Sequence, residues 1–197
     1  MEGQLEKYII ALYKNIPIGV YEGLLAVFCI GAICAILYGG WKKGWKMVAG
    51  LLLVEYVGLI FCSTVICRKV VESVGHNFYP FWSYGAISKG KEDLIGQIVM
   101  NVVIFIPVGI LLGIVTHRVQ TGFRLGLHRV LQIVVIGIAI SGTIEVLQYC
   151  LKRGFSEMDD VIHNTLGCLI GFMIVAIMKR VLNYTHLCLY RNGGRCS

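Results

Sequence analysis

The stretch Gln97–Val115, QIVMNVVIFIPVGILLGIV, decides the fold, because its 19 residues include no charged side chain. An α-helix rises about 1.5 Å per residue, so a stretch of this length can cross the roughly 30 Å hydrocarbon core of a bilayer. Pro107 lies in the middle of the stretch, where it removes one backbone hydrogen bond and should kink the helix. The stretch therefore predicts a transmembrane helix.

Four other windows have the same apolar character. They are Ile18–Tyr38, Met47–Cys67, Val130–Leu151 and Val161–Leu182. The composition agrees, since 57% of the residues are hydrophobic and 15% are charged, against about 25% charged in soluble proteins. We predict an all-α fold, a polytopic membrane helix bundle of about five transmembrane helices with antiparallel neighbours. The predicted domains are an N-terminal tail at 1–17, one transmembrane domain at 18–182 and a C-terminal tail at 183–197.

The connections between the windows predict how the chain is oriented in the cell membrane. One side of the bundle would hold the N-terminal tail and the loops 68–96 and 152–160. The other would hold a tight turn at 39–46, the loop 116–129 and the C-terminal tail. Every carboxylate outside the windows falls on the first side, which leaves the second side purely basic. Because basic residues favour cytoplasmic loops, we expect a multi-pass protein with its N-terminus outside and its C-terminus in the cytoplasm.

The net charge of +7 has a simple explanation in this arrangement, since basic residues at helix ends bind phospholipid head groups. Nucleic-acid binding needs a folded basic face with aromatic side chains that stack on bases, and the windows leave no soluble domain to carry one. Most of the eight cysteines lie in or beside the windows and none forms a C-x-x-C pair. They act there as small apolar residues, and we expect neither a metal nor another cofactor.

Several polar side chains interrupt the windows at a similar depth near one membrane face. Asn101, Glu145 and Asn164 each lie within a few residues of the window end on the predicted outer side. Gln148 follows Glu145 at i+3 and Asp160 precedes Asn164 at i+4, so each pair shares a helix face. Inter-helix hydrogen bonds of about 0.6 kcal/mol each would explain isolated amides. A buried carboxylate is instead a candidate for a functional site. Glu55 lies deeper, and the sequence gives it no partner.

Glycines four residues apart mark positions where two helices can approach closely. Gly109 and Gly113 form one such pair, and Gly167 and Gly171 form another on the face that carries Asn164.

The segment His76–Tyr84, HNFYPFWSY, is too short to span a membrane and too apolar to extend into water. We predict an interfacial or re-entrant aromatic loop. It would serve as an anchoring belt or as a lid over the polar side chains.

The run Asn101–Gly109, then Glu145-x-x-Gln148, then Arg153, then Asp159-Asp160-x-x-x-Asn164 resembles the VanZ-like family of bacterial membrane proteins. Asn77-Phe-Tyr-Pro80-Phe81 is similar to an Asn-Leu-Ile-Pro-Phe element of that family, although Phe78 and Tyr79 replace its aliphatic residues and His163 departs from its pattern. The family is named for a protein that raises resistance to the glycopeptide antibiotic teicoplanin, which implies a role in the cell envelope. The ligand-binding residues implied by position are Asn77, Pro80, Asn101, Glu145, Gln148, Arg153, Asp159, Asp160 and Asn164.

Three functions stay open at this point, and the residues favour a binding protein over an enzyme. In the first, the outward polar cluster binds membrane lipids or a lipid-linked cell-wall precursor, with Arg153 on a phosphate and with Asp160 and Glu145 orienting it. In the second, the protein is a membrane-embedded enzyme acting on a lipid-linked phosphate substrate, with carboxylates and His163 as metal ligands or as acid and base. In the third, Glu145 and Glu55 relay protons in a small lipid transporter. Association into a homo-oligomer also stays open.

Overall fold

The computed structural model describes residues 17–72, 75–116 and 123–193, and these are almost entirely helical. The elements in chain order are α1 (Ile18–Phe61), a π-helical turn (Cys62–Ile66), β1 (His76–Asn77), α2 (Trp82–Ile87), α3 (Asp93–Thr116), α4 (Phe123–Cys150), β2 (Ser156–Glu157) and α5 (Met158–Gly193). The predicted all-α bundle is confirmed. Residues 1–16 of the predicted N-terminal tail and 194–197 of the predicted C-terminal tail lie outside the described residues. The first part of the predicted C-terminal tail, 183–193, continues α5.

Four helical segments are long and apolar enough to cross a membrane. They are Gly44–Ile66, Asp93–Thr116, Gly126–Cys150 and Met158–Leu182. They correspond to the last four of the five predicted windows. The first window contains a shorter apolar segment, Ile18–Cys34, and the helix continues beyond it. Among the described residues, four segments are thus long enough to span, and the first window is represented by this shorter apolar segment.

The turn predicted at 39–46 is helical, because helical hydrogen bonding continues through it from Ile18 to Phe61. The chain nevertheless reverses direction. A Cβ added at Gly31 would lie 2.9 Å from Leu51 Cδ1, whereas about 30 Å of straight helix would separate two residues at this spacing. Gly39 and Gly40 lie within this stretch, and helices bend sharply at pairs of small residues. The predicted reversal is therefore present, and only the expectation of a non-helical turn was wrong.

Helices α3 and α5 pack with their backbones in contact. A Cβ added at Gly167 or Gly171 would overlap backbone carbonyl oxygens of α3, and one added at Gly109 would overlap the backbone of α5. Phe105 and Val108 are buried beside these contacts. The prediction that these glycines permit close helix packing is confirmed.

A parallel bridge between two short strands joins the aromatic segment to the start of α5. His76 lies opposite Ser156, and Asn77 lies opposite Glu157. The side chains of Phe78, Tyr79 and Phe81 are exposed. Exposed aromatic side chains beside helix ends are what an interfacial segment requires, and the depth of this segment in the membrane stays a prediction.

Candidate functional site

Four helix ends meet around a cavity of about 450 Å³. The end of α1 with its π-turn, the start of α3, the end of α4 and the start of α5 each contribute side chains. The polar lining residues are Ser63, Thr64, Arg68, Gln97, Asn101, Glu145, Gln148, Glu157, Asp160 and Asn164. The polar side chains that the sequence places at a similar depth therefore do come together, because polar groups from the four helix ends surround one cavity.

The remaining lining is mainly apolar. Its residues are Ile60, Met100, Ile104, Phe105, Ile144 and Phe155. Ile60, Phe105 and Ile144 also belong to the hydrophobic core of the bundle. The cavity therefore offers hydrogen-bonding groups together with hydrocarbon contacts, a combination typical of sites for amphiphilic ligands.

Asp160 lies in the first turn of α5 and is held by amide side chains of α3. Asn101 Nδ2 donates to Asp160 Oδ1 over 2.7 Å, and Gln97 Nε2 lies 3.3 Å from the same oxygen. Hydrogen bonds from uncharged amides are one way to hold a carboxylate at membrane depth without a paired cation. Because Gln97 and Asn101 are four residues apart on α3, they lie on the same face of the helix, and both amides reach this carboxylate.

The neighbouring carboxylate, Asp159, points elsewhere. It accepts hydrogen bonds from the backbone N–H groups of Phe81 and Ser83 and from the Ser83 hydroxyl. Phe81 precedes the first residue of α2 and has a positive φ of 64°. Asp159 is only 1% exposed and caps the amino end of α2 from another helix. Its predicted ligand-binding role is not supported by this position, which is away from the cavity lining.

A second contact fixes the same short helix. The hydroxyl of Tyr84 lies 3.0 Å from Nε2 of His163, which is buried one turn along α5 from Asp159. His163 therefore stabilises α2 rather than lining the cavity. Among the described residues, no three His, Cys, Asp or Glu side chains lie close enough together to hold a metal ion. The metal-dependent form of the enzyme hypothesis thus gains no support from the geometry.

Glu145 connects the end of α4 to the strand before α5. Its Oε2 accepts a 2.9 Å hydrogen bond from the backbone N–H of Glu157, and Ser156 also hydrogen-bonds its carboxylate. Glu145 is 6% exposed, so the contact is shielded from water.

Glu157 carries the most perturbed carboxyl group outside the membrane-spanning segments. Burial raises the pKa of Glu157 to about 7, and the nearby carboxylates of Asp160 and Asp159 act in the same direction. The side chains of Trp82 and Gln97 oppose this rise in pKa as hydrogen-bond donors, although the contact to Trp82 Nε1 lacks ordinary hydrogen-bond geometry. A carboxyl group with this pKa changes charge near neutral pH.

The two arginines near the cavity have different roles, and Arg153 does not have the predicted one. Arg153, the predicted phosphate ligand, donates from Nη1 to the backbone carbonyls of Ile66, at 2.9 Å, and Arg68. It therefore caps the carboxyl end of the first membrane-spanning segment. Arg68 itself lines the cavity, with its guanidinium against Gly154, where a Cβ would lie 2.9 Å from Arg68 Cζ. Gly154 has φ of 148°, so a larger residue there would be strained as well as crowded.

The last two predicted ligand residues, Asn77 and Pro80, belong to the aromatic segment. Asn77 Oδ1 accepts a 3.1 Å hydrogen bond from the backbone N–H of Tyr79, which forms a local turn. Pro80 is exposed. Neither residue lines the cavity, and both shape the connection that reaches Asp159.

Of the nine predicted residues, the structure places five around the cavity: Asn101, Glu145, Gln148, Asp160 and Asn164. Sequence reasoning missed the other five polar lining residues, which are Ser63, Thr64, Arg68, Gln97 and Glu157. Gln97 precedes Asn101 by four residues on α3, so helical phase was a usable signal for it. Glu157 lies in β2, before α5 begins at Met158, so helical phase does not apply to it. No comparable signal existed for Arg68, which follows the end of a membrane-spanning segment.

Glu55, for which the sequence gave no partner, lies outside the cavity lining. Its Oε1 is buried, and within the described part of the chain it has no hydrogen-bond partner. A contact between Glu55 and a cation is therefore not supported.

Comparison with known proteins places this architecture in a family. The family model described as VanZ/LLP1 matches residues 25–179, a range that includes every residue lining the cavity. No curated protein and no solved structure gives a significant match. Since the matched range covers most of the chain, the protein belongs to the VanZ/LLP1 family.

Proposed function

We propose that this protein binds the polar head group of a membrane lipid or of a lipid-linked cell-wall precursor, and that binding alters the susceptibility of a bacterial cell to glycopeptides such as teicoplanin. One observation carries the proposal, namely a cavity lined by both polar and apolar side chains where four helix ends meet. An amphiphile has a polar and an apolar part joined at one point, and this lining matches both parts.

The size of the cavity supports a head group rather than a whole lipid. A volume of about 450 Å³ lies within the range of small-ligand sites, roughly 300–1,000 Å³. The acyl chains would remain in the surrounding bilayer. Exposed apolar side chains on the helices, such as Val103 and Val146, provide the surface that acyl chains contact.

The cavity end of the bundle is proposed to face outward. The loops at that end contain the acidic residues, whereas the opposite connections and tail are basic. A basic surface suits the anionic cytoplasmic leaflet. An outward cavity would reach the lipid-linked precursors that glycopeptides bind, and this shared location links head-group binding to drug susceptibility.

The decisive experiment compares teicoplanin inhibitory concentrations in a sensitive Gram-positive host. The strains would carry empty vector, wild type, Asp160→Asn or Glu72→Gln, with membrane expression measured for each. Asp160 lines the cavity, whereas Glu72 is exposed outside it, so the two substitutions make the same chemical change at different places.

We expect wild type and Glu72→Gln to raise the inhibitory concentration and Asp160→Asn to leave it near the empty-vector value. If Asp160→Asn raises it as much as wild type does, the cavity does not cause the phenotype. If no variant changes it, the proposed effect on glycopeptide susceptibility is wrong for this chain.

A further inference from the structure

The hydrogen bonds around the cavity share one direction. Gln97 and Asn101 donate their side-chain N–H groups to Asp160. Gln148 donates over 3.0 Å to a backbone carbonyl of the π-turn, and Asn164 donates over 2.9 Å to a serine hydroxyl of α4. Each of the four amides therefore directs an N–H group at the protein.

The hydroxyl groups follow the same rule. Ser63 and Thr64 both donate to the carbonyl oxygen of Ile60, over 2.9 and 2.7 Å. A hydroxyl has a single hydrogen to donate, so what these two side chains offer to the cavity is the lone pairs of their oxygens.

The amide oxygens are left for a ligand. In the part of the chain that the structure describes, none of the four accepts a hydrogen bond, and none is sealed off from the cavity. Gln148 is 3% exposed and Asn164 is 7% exposed, and both line the cavity, so their oxygens are reached through the cavity. Carbonyl oxygens that face a cavity and have no protein donor can accept hydrogen bonds from a molecule bound there.

The charges strengthen this acceptor character. Glu145, Glu157 and Asp160 place three carboxyl groups around the cavity, and Arg68 is the one basic side chain among its described lining residues. Arg68 is exposed, whereas Glu145 is buried. The interior therefore presents acceptors and negative charge, and the single strong donor lies toward the mouth.

We propose that the interior binds a primary ammonium group and that Arg68 binds the phosphate of the same zwitterionic head group. This inference rests on the proposed function and names the chemistry of its ligand. A primary ammonium supplies three N–H donors and a positive charge, which match the amide oxygens and carboxylates. Arginine is well suited to phosphate because its guanidinium can donate two parallel hydrogen bonds.

A quaternary ammonium fits this cavity less well. Such groups have no N–H donor and are typically bound in cages of aromatic rings. Phe105 and Phe155 are the aromatic residues among the described lining, and Phe105 belongs to the hydrophobic core. The cavity should therefore distinguish an ammonium with three hydrogens from one with three methyl groups.

The test measures binding of three lipids to the purified full-length protein by native mass spectrometry, all with identical acyl chains. They are phosphatidylethanolamine, its N-acetylated form and phosphatidylcholine. N-acetylation removes the positive charge and two N–H donors but keeps the phosphate. We expect wild type to bind phosphatidylethanolamine at least tenfold more tightly than either of the others. Asp160→Asn should reduce this preference to less than threefold, and Glu72→Gln should retain it.

Soluble glycerophosphoethanolamine, added as a competitor, distinguishes a lipid from a free ligand. Weak competition supports a membrane lipid as the source of the ammonium, and complete displacement at equal concentration overturns that assignment. Equal binding of the three lipids overturns ammonium recognition while leaving head-group binding intact. If none of the three lipids, nor a lipid-linked wall precursor tested in parallel, binds above detergent background, both the ammonium and the proposed function are wrong.

Discussion

Replacing Asp159 with alanine should release the short helix α2 from the bundle without removing any group that lines the cavity. Asp159 accepts hydrogen bonds from two backbone N–H groups and one hydroxyl at the start of α2. Alanine offers no acceptor at this position, and the donors are largely shielded from water because Ser83 is 3% exposed. The substitution should therefore weaken the attachment of α2 to α5.

The size of the effect follows from these contacts. A hydrogen bond to a charged acceptor contributes about 1.5–3 kcal/mol, and the loss of a helix cap alone costs about 0.5–2 kcal/mol. Since such contributions are not additive, we expect the free energy of local opening to fall by about 3 kcal/mol. At about 1.4 kcal/mol per factor of ten, amide hydrogen exchange in α2 should become roughly 100-fold faster.

Hydrogen–deuterium exchange with mass spectrometry on the purified protein measures this directly. Peptides covering Trp82–Ile87 should show the acceleration, while peptides from the middle of α3 should not. Asp159→Asn should fall between alanine and wild type, because its oxygen still accepts one hydrogen bond while its N–H₂ group opposes the Ser83 donors. Glu92→Ala, at an exposed carboxylate, controls for loss of charge. Exchange in α2 within threefold of wild type would refute the capping role of Asp159.

Three other predictions concern the glycine contacts, Glu157 and the two arginines. Gly167→Val should lower the free energy of unfolding by about 1–3 kcal/mol through overpacking against α3, whereas Gly142→Ala, with open space around it, should change it little in the same thermal unfolding assay. Because the pKa of Glu157 is about 7, its carboxyl group is mostly neutral at pH 6 and mostly ionised at pH 8. Binding of a primary ammonium should therefore strengthen severalfold across this interval, and the strengthening should shrink in Glu157→Gln. Arg68→Ala should weaken binding of phosphate-containing lipids about tenfold with little change in thermal stability. Arg153→Ala should instead lower thermal stability, because it removes the cap on the first membrane-spanning segment. Equal loss of thermal stability in the two variants would contradict this division of roles.

Much of the cavity could be predicted because helical phase and membrane depth are properties of the sequence. A carboxylate or amide near the end of an apolar window is expected to face the interior of the bundle or a cavity rather than lipid. Positions three or four residues apart on a helix share a face. Depth and phase together are enough to group Asn101, Glu145 and Asn164. The close packing at Gly167 and Gly171 could be predicted as well, because small residues at this spacing allow membrane helices to approach each other closely.

The rest depends on backbone geometry that the sequence does not display. Asp159 and Asp160 are adjacent, yet about 100° of helical rotation separates their side chains, and only the neighbouring elements decide which one faces the cavity. Arg68 lines the cavity in place of the predicted Arg153 because of how the connection 152–157 passes over the end of the first membrane-spanning segment. That path includes a positive φ at Lys152 and at Gly154 and the parallel bridge to β1, none of which follows from periodicity.

The glycine contacts between α3 and α5 also have a mechanical consequence. Two helices whose backbones touch along about two turns cannot slide or separate by small steps without losing that fit, so they should move as one rigid body. The contact between α4 and the π-turn that ends the first membrane-spanning segment differs, since among the described residues it includes one side-chain hydrogen bond, from Gln148. Any widening that admits a head group should therefore occur between α4 and the π-turn rather than between α3 and α5.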